Sequence, residues 1–179
     1  MKNLGLLSIA VSWAGLIFLI RRWKGAKHMT FSQHAAQYKS SALYYAVLWS
    51  ICLPLMAIYL FGWFTPTFHM GTGFRVLCGL AIFAMAVAAY VPETTGKRVV
   101  IHRWSAFGMA LLFLPITVSI AVGGFSLPTQ VVAGLASLFM TWEIIILLRK
   151  KRAHPSMLPL QAAYIAALHL ALVSATYLR

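Results

Sequence analysis

Apolar side chains fill six long runs of this sequence, and polar side chains gather in the short segments between them. The runs lie at about 4–20, 41–64, 74–91, 99–122, 129–148 and 158–178, and a helix crossing a bilayer needs about 20 such residues, with a range of roughly 17–25. The pattern predicts an all-α polytopic membrane protein: one domain, a bundle of six transmembrane helices.

Local signals place the boundaries. The first run follows Lys2 and ends in Arg21-Arg22-Trp23-Lys24, with no small-residue cleavage site before it, so a retained helix is expected rather than a signal peptide. Thr30 and Gln33 have capping-box spacing, which predicts a helix starting near Phe31, in the headgroup layer, and continuing into the second span. Pro54, in mid-span, is expected to bend that helix. The third span is rich in Ala and Gly, as close helix packing allows, and Pro92 ends it. Pro115 falls in the fourth span, and Pro155 and Pro159 mark the start of the sixth.

Composition agrees with lipid as the solvent. Apolar residues make up 61% and charged residues 9%, against roughly 45–50% and 25% in soluble domains. A soluble fold could not cover that apolar surface, whereas a bilayer removes the need. The net charge of +13 sets fifteen Lys and Arg against two acids, Glu93 and Glu143. These bases do not form a nucleic-acid surface; they cluster between the spans. Twelve of them fall in the first, third and fifth connections, and only Lys2, Arg75 and Arg179 lie elsewhere. Short basic loops stay on the cytoplasmic side, so both termini are expected outside a plasma membrane. Arg21, Arg22, Lys24, Lys27, Arg149, Lys150, Lys151 and Arg152 read first as topology determinants and second as contacts for anionic lipid headgroups. Cys52 and Cys78 form no CxxC pair or disulfide framework.

Few residues suggest chemistry. The segment Tyr90 to Trp104, YVPETTGKRVVIHRW, holds Glu93, His102 and Arg103. These are expected to form a polar cluster at the cytoplasmic ends of the third and fourth spans, with Glu143 nearby. Glu143 lies six residues before Arg149, roughly 9 Å inside the charged border. It should therefore face the bundle interior, either as a buried or snorkelling structural pair or as a proton or cation site. Its expected partner is His102 or Arg103. His169, in mid-span, shares a helical face with Ala162, Ala166 and Val173 and should point inward. It reads as a hydrogen-bonding group, a proton relay, or a metal or haem ligand. Haem normally takes a second histidine at matching depth, and His28, His34, His69, His102 and His154 all fall near span borders. Arg75 reads as a snorkelling anchor or a contact for an anionic headgroup or substrate. No HExxH, CxxC, GxSxG or P-loop pattern occurs, and there is no Asp. No catalytic residue, metal site or cofactor is assigned.

FRVLCGLAIFAMAVAAYVPE followed by IHRWSAFGMALLF resembles the six-helix membrane family known as domain of unknown function 998, within the wider DRAM/Sfk-like group. The matching positions are Pro92, Glu93 and His102. The resemblance implies a membrane protein of unassigned activity. That family more often holds this loop outside, whereas Lys97, Arg98 and Arg103 here predict the cytoplasmic side. The expectation is a non-enzymatic membrane protein that binds lipid or assists a membrane partner or a second copy of itself. The alternatives are a proton-coupled transporter using Glu143 and His169, or a haem-binding redox protein.

Overall fold

The computed structural model describes residues 1–26, 28–94, 96–149 and 157–178. Lys27, Lys150, Lys151, Arg152 and Arg179 lie outside the described residues. Those described form seven helices and no strand: α1 (Lys2–Arg22), α2 (Phe31–Ala36), α3 (Lys39–Thr67), α4 (Thr72–Tyr90), α5 (Lys97–Ala121), α6 (Leu127–Arg149) and α7 (Met157–Tyr177). All but α2 are long and apolar enough to cross a membrane. Large side chains remain uncovered on their outer faces, with Leu138 70% and Phe83 68% exposed. In lipid such a face carries no hydrophobic cost.

The capping box forms: the Gln33 N–H donates to Thr30 Oγ1 at 3.2 Å, and the Thr30 N–H to Gln33 Oε1 at 2.9 Å. The sequence predicts that this helix continues into the second span, and it does not. It stops at Ala36, and Tyr38 is extended, with φ −136° and ψ 153°. Ser41, fully buried, makes the break possible. Its hydroxyl accepts the Tyr38 N–H at 3.1 Å and lies 2.7 Å from the Ala35 carbonyl, so groups freed at both helix ends are satisfied. The second span also runs past Phe64 to Thr67. Its turn at Leu60–Phe64 is widened, with the Thr65 N–H donating to the Leu60 carbonyl. Pro66 follows directly; in a regular helix its ring would meet the carbonyl four residues earlier, and widening the turn relieves that clash.

Consecutive long helices run antiparallel. At one end the Phe31 N–H donates to Gln161 Oε1 at 2.9 Å, tying α2 to the start of α7. At the other, Tyr177 reaches Asn3 Oδ1 at 3.0 Å, and the Lys2 ammonium lies 4.4 Å from the Tyr177 ring centre. Arg21, Arg22, Lys24, Lys39, Lys97, Arg98 and Arg149 therefore share one end, called the basic end below, while Lys2 and Arg75 lie at the opposite end.

In cross-section α1, α3, α4, α5 and α7 form a ring, and α6 packs outside it against α5 and α7. A close seam joins α1 to α3. Gly5, Ser8, Ser12 and Gly15 recur at three- and four-residue spacing, so they line one face of α1, and all four are buried. Such small side chains let two backbones approach. Ser8 Oγ donates to the Cys52 carbonyl of α3 at 2.9 Å. A carbon added at Gly5 would lie 2.7 Å from the Tyr59 ring, and that ring is held by a 2.6 Å hydrogen bond between its hydroxyl and Thr176 Oγ1. Beyond Tyr59, Phe64, Phe68, Phe74 and Phe125 stack at centroid separations of 4.7–6.0 Å and close the bundle at the end away from the basic residues.

Gly5→Ala should therefore lower stability by about 1–3 kcal/mol, the usual cost of overpacking, read as a lower Tm in detergent. Gly108→Ala is the control: nothing lies within 4 Å of the added carbon, and losing a helical glycine should leave Tm equal or higher. Equal effects of the two substitutions would mean that the α1–α3 seam is not tight.

Candidate functional site

A ring of five helices leaves space at its centre. Here that space is a cavity of about 110 Å³, walled by α1, α3, α4, α5 and α7 and reached by α2 through Phe31 and Ser32. Its size is of the order of apolar cavities that admit a benzene-sized guest. Small side chains keep it open: Ala81 and Ala88 of α4 and Ala106 of α5. Leu60 and Leu172 approach the aromatic closure, while His102 and Gln161 lie toward the basic end. A second cavity of about 170 Å³ adjoins it there and shares Ser32, Tyr45, Ala88 and His102 with it. Along α7, Gln161 to Leu172 covers about 16 Å of helix.

Two histidines face this cavity, and their neighbours fix which nitrogen carries the proton. His102 is 2% exposed, and its Nδ1 lies 2.8 Å from the Val91 carbonyl. That carbonyl sits just past the end of α4, where Pro92 prevents continuation of the helix. A carbonyl can only accept, so His102 Nδ1 donates, and in the neutral ring Nε2 is the acceptor. His169 is the reverse case. The Trp13 indole N–H, a donor only, lies 3.0 Å from His169 Nδ1, with the rings edge to face at 6.1 Å. His169 Nδ1 therefore accepts, and Nε2 carries the hydrogen. Neither Nε2 has a hydrogen bond among the described residues. The wall also holds Trp49, whose buried Nε1–H the Tyr45 hydroxyl approaches without completing a hydrogen bond of ordinary geometry.

The other sequence candidates divide. Glu93 and Arg103 form an ion pair, Nε to Oε1, at 2.6 Å, with the Glu93 side chain largely covered and that of Arg103 about half exposed. His102 is adjacent in sequence, but its hydrogen bond goes to backbone and not to the acid. Glu143 does not join them. It is 1% exposed, sits on α6 outside the ring, and has no ion pair or hydrogen bond among the described residues. The expected pairing of Glu143 with His102 or Arg103 is thus corrected: both are committed to the loop after α4. Arg21, Arg22, Lys24 and Arg149 are exposed at the basic end, and Arg75 is exposed at the other. No group of three metal-type side chains occurs among the described residues. For haem, the cavity offers one nitrogen lone pair, on His102; the second would require His169 to give up its Trp13 bond.

Sequence reasoning missed Trp13, Trp49 and Gln161. Trp13 was detectable, since a tryptophan at the centre of a span lies far from the interfacial belt where that residue normally sits.

A carboxyl buried without a partner contributes no net stabilisation, and an apolar group of similar volume often improves stability at such positions. Glu143→Met should hold or raise Tm by a few degrees, whereas Arg103→Ala, which strands the covered Glu93 carboxylate, should lower it. A clear loss of Tm in Glu143→Met would show that the acid is paired. No known protein family, curated protein or solved structure matches this chain, and the site's chemistry is read from its own geometry.

Proposed function

We propose that this is a six-span protein of the plasma membrane that holds one lipid-soluble small amphiphile inside its helix ring and performs no chemistry on it. The cavity carries this reading. Five of the six long helices contribute to it, its walls are mainly apolar, and its polar groups sit at separate depths. This is how a pocket orients a ligand that arrives from hydrocarbon. The aromatic closure leaves the basic end as the polar side of the site. Positive charge at that end supports a cytoplasmic placement, with both termini outside and the exposed Arg21, Arg22, Lys24 and Arg149 meeting anionic headgroups. The family resemblance around Pro92, Glu93 and His102 fits the same reading. Proton-coupled transport through Glu143 and His169 has less support, because α6 contributes nothing to the cavity wall.

Protein ejected from lipid nanodiscs into a native mass spectrometer should carry one small molecule per chain. Ala106→Phe, which fills the cavity, should lose that molecule while keeping its helical circular dichroism. Retention of the adduct by Ala106→Phe, or its absence from the wild type, would end the proposal.

A further inference from the structure

The second cavity lies between the interior of the ring and the lipid outside it. Side chains of α2, α3, α5 and the end of α4 line it, and it shares Ser32, Tyr45, Ala88 and His102 with the first cavity. Those four form a neck between the two spaces. On the outer side the lining includes half-buried Ala42 and Ala46 of α3 and exposed Tyr90 of α4. No Lys, Arg, Asp or Glu lines either space. The neck is nevertheless polar at one point. His102 is 2% exposed, and its bond to the Val91 carbonyl leaves Nε2 without a partner. The neck stands at the basic end, because Val91 directly follows the last residue of α4.

One contact straps the outer side. The Ser50 hydroxyl donates to the Ala46 carbonyl, 2.8 Å away. Its oxygen is then left to accept, and the Tyr90 hydroxyl donates to it at 2.7 Å. This bond crosses from α4 to α3 on an exposed face, and Ser50 lies one turn deeper than Ala46 on the same side of α3. The side chains between the two helices there are small: Ala42 and Ala46 on α3, Ala88 and Ala89 on α4. The Tyr90 side chain is therefore left to cover the gap. An unpaired hydroxyl in hydrocarbon is costly, which holds the strap in place. Tyr90 ends its helix, however, so an outward turn brings its polar tip to the interface, where water replaces Ser50. We infer that the second cavity is a side entrance through which an uncharged amphiphile passes between the surrounding lipid and the ring, with the Tyr90–Ser50 bond as its latch. The inference rests on the binding role proposed above and supplies its route. The ends of the bundle are less open. The phenylalanines close one, and at the other Phe31 is 3% exposed, with its N–H held by Gln161. Entry from the side needs one side chain to move and no helix.

Two native thiols serve as reporters. Cys52 and Cys78, the protein's only cysteines, are each 1% exposed and line the first cavity but not the second. Protein in lipid nanodiscs is mixed with methylmercury chloride, an uncharged, lipid-soluble thiol reagent, and its mass is followed with time. Ala46→Leu, which narrows the second cavity, should slow the labelling of both cysteines. Misfolding would expose the thiols and act in the opposite direction. Tyr90→Phe and Ser50→Ala should each speed labelling about two- to tenfold, the factor equivalent to one net hydrogen bond. Combining these two should add nothing further, and adding Ala46→Leu to Tyr90→Phe should restore slow labelling. A wild-type rate in Ala46→Leu or in Tyr90→Phe would overturn the inference. The nanodisc adduct separates that failure from failure of the binding role. If the adduct persists while the rates do not change, the entrance is elsewhere and the cavity still binds. If the rates follow the predicted order and the adduct is absent, the entrance stands and the binding role fails.

Discussion

Hydrocarbon offers no hydrogen bonds, so a polar group placed in it must find its partner within the protein. Most of what is distinctive in this structure follows from that requirement. Ser8, Ser12, Thr117, Ser119, Ser137 and Thr141 turn their hydroxyls back onto helix carbonyls. Tyr164 reaches across from α7 to the Ala110 carbonyl of α5 at 2.5 Å. His102 and His169 obey the same rule with one nitrogen each. Their second nitrogens are exceptions to that rule, as are Trp49 Nε1 and Glu143 Oε1, and both histidines line one cavity.

The cavity is itself a consequence of packing. The small face of α1 draws it onto α3, and alanines on α4 face the interior, so two walls of the ring carry little side-chain volume where they meet its centre. Larger residues could fill the space, as Tyr59 and the phenylalanines do at one end. The middle of the ring is therefore under-filled while its end is closed. Apolar space inside a ring of helices costs dispersion contacts, and in a membrane that cost is recovered when a lipid-soluble molecule occupies it.

The sequence made the helices legible because lipid imposes a length and a composition on each span. The six runs and the six long helices differ by only a few residues at most ends. The break at Tyr38 was harder to foresee. Thr30 and Gln33 announce a helix start, but what ends that helix is Ser41 bridging Ala35 and Tyr38, a local contact that no periodicity encodes. The site was legible only in pieces. His169 was expected to point inward and does line the cavity. His102 was grouped with Glu93 and Arg103 because they are neighbours in sequence, whereas its free nitrogen serves a space shared with α1, α3, α4 and α7. In an amphipathic soluble helix the polar face shows which side meets which partner. These helices are apolar all round, so their order about the ring is not written in their periodicity.

Glu143 shows where that ambiguity matters most. From the sequence alone, an acid within a span is the strongest functional candidate. Its importance depends on which way its helix faces, and α6 lies outside the ring. The less conspicuous histidines acquire their meaning from the opposite circumstance. A neutral imidazole can present either a donor or an acceptor, and a second residue must decide between them. Here Val91 decides for one ring and Trp13 for the other, and they decide in opposite senses. Two chemically identical side chains thereby present unlike groups to one cavity, a polarity that arises from their neighbours and needs no charged residue in the cavity wall.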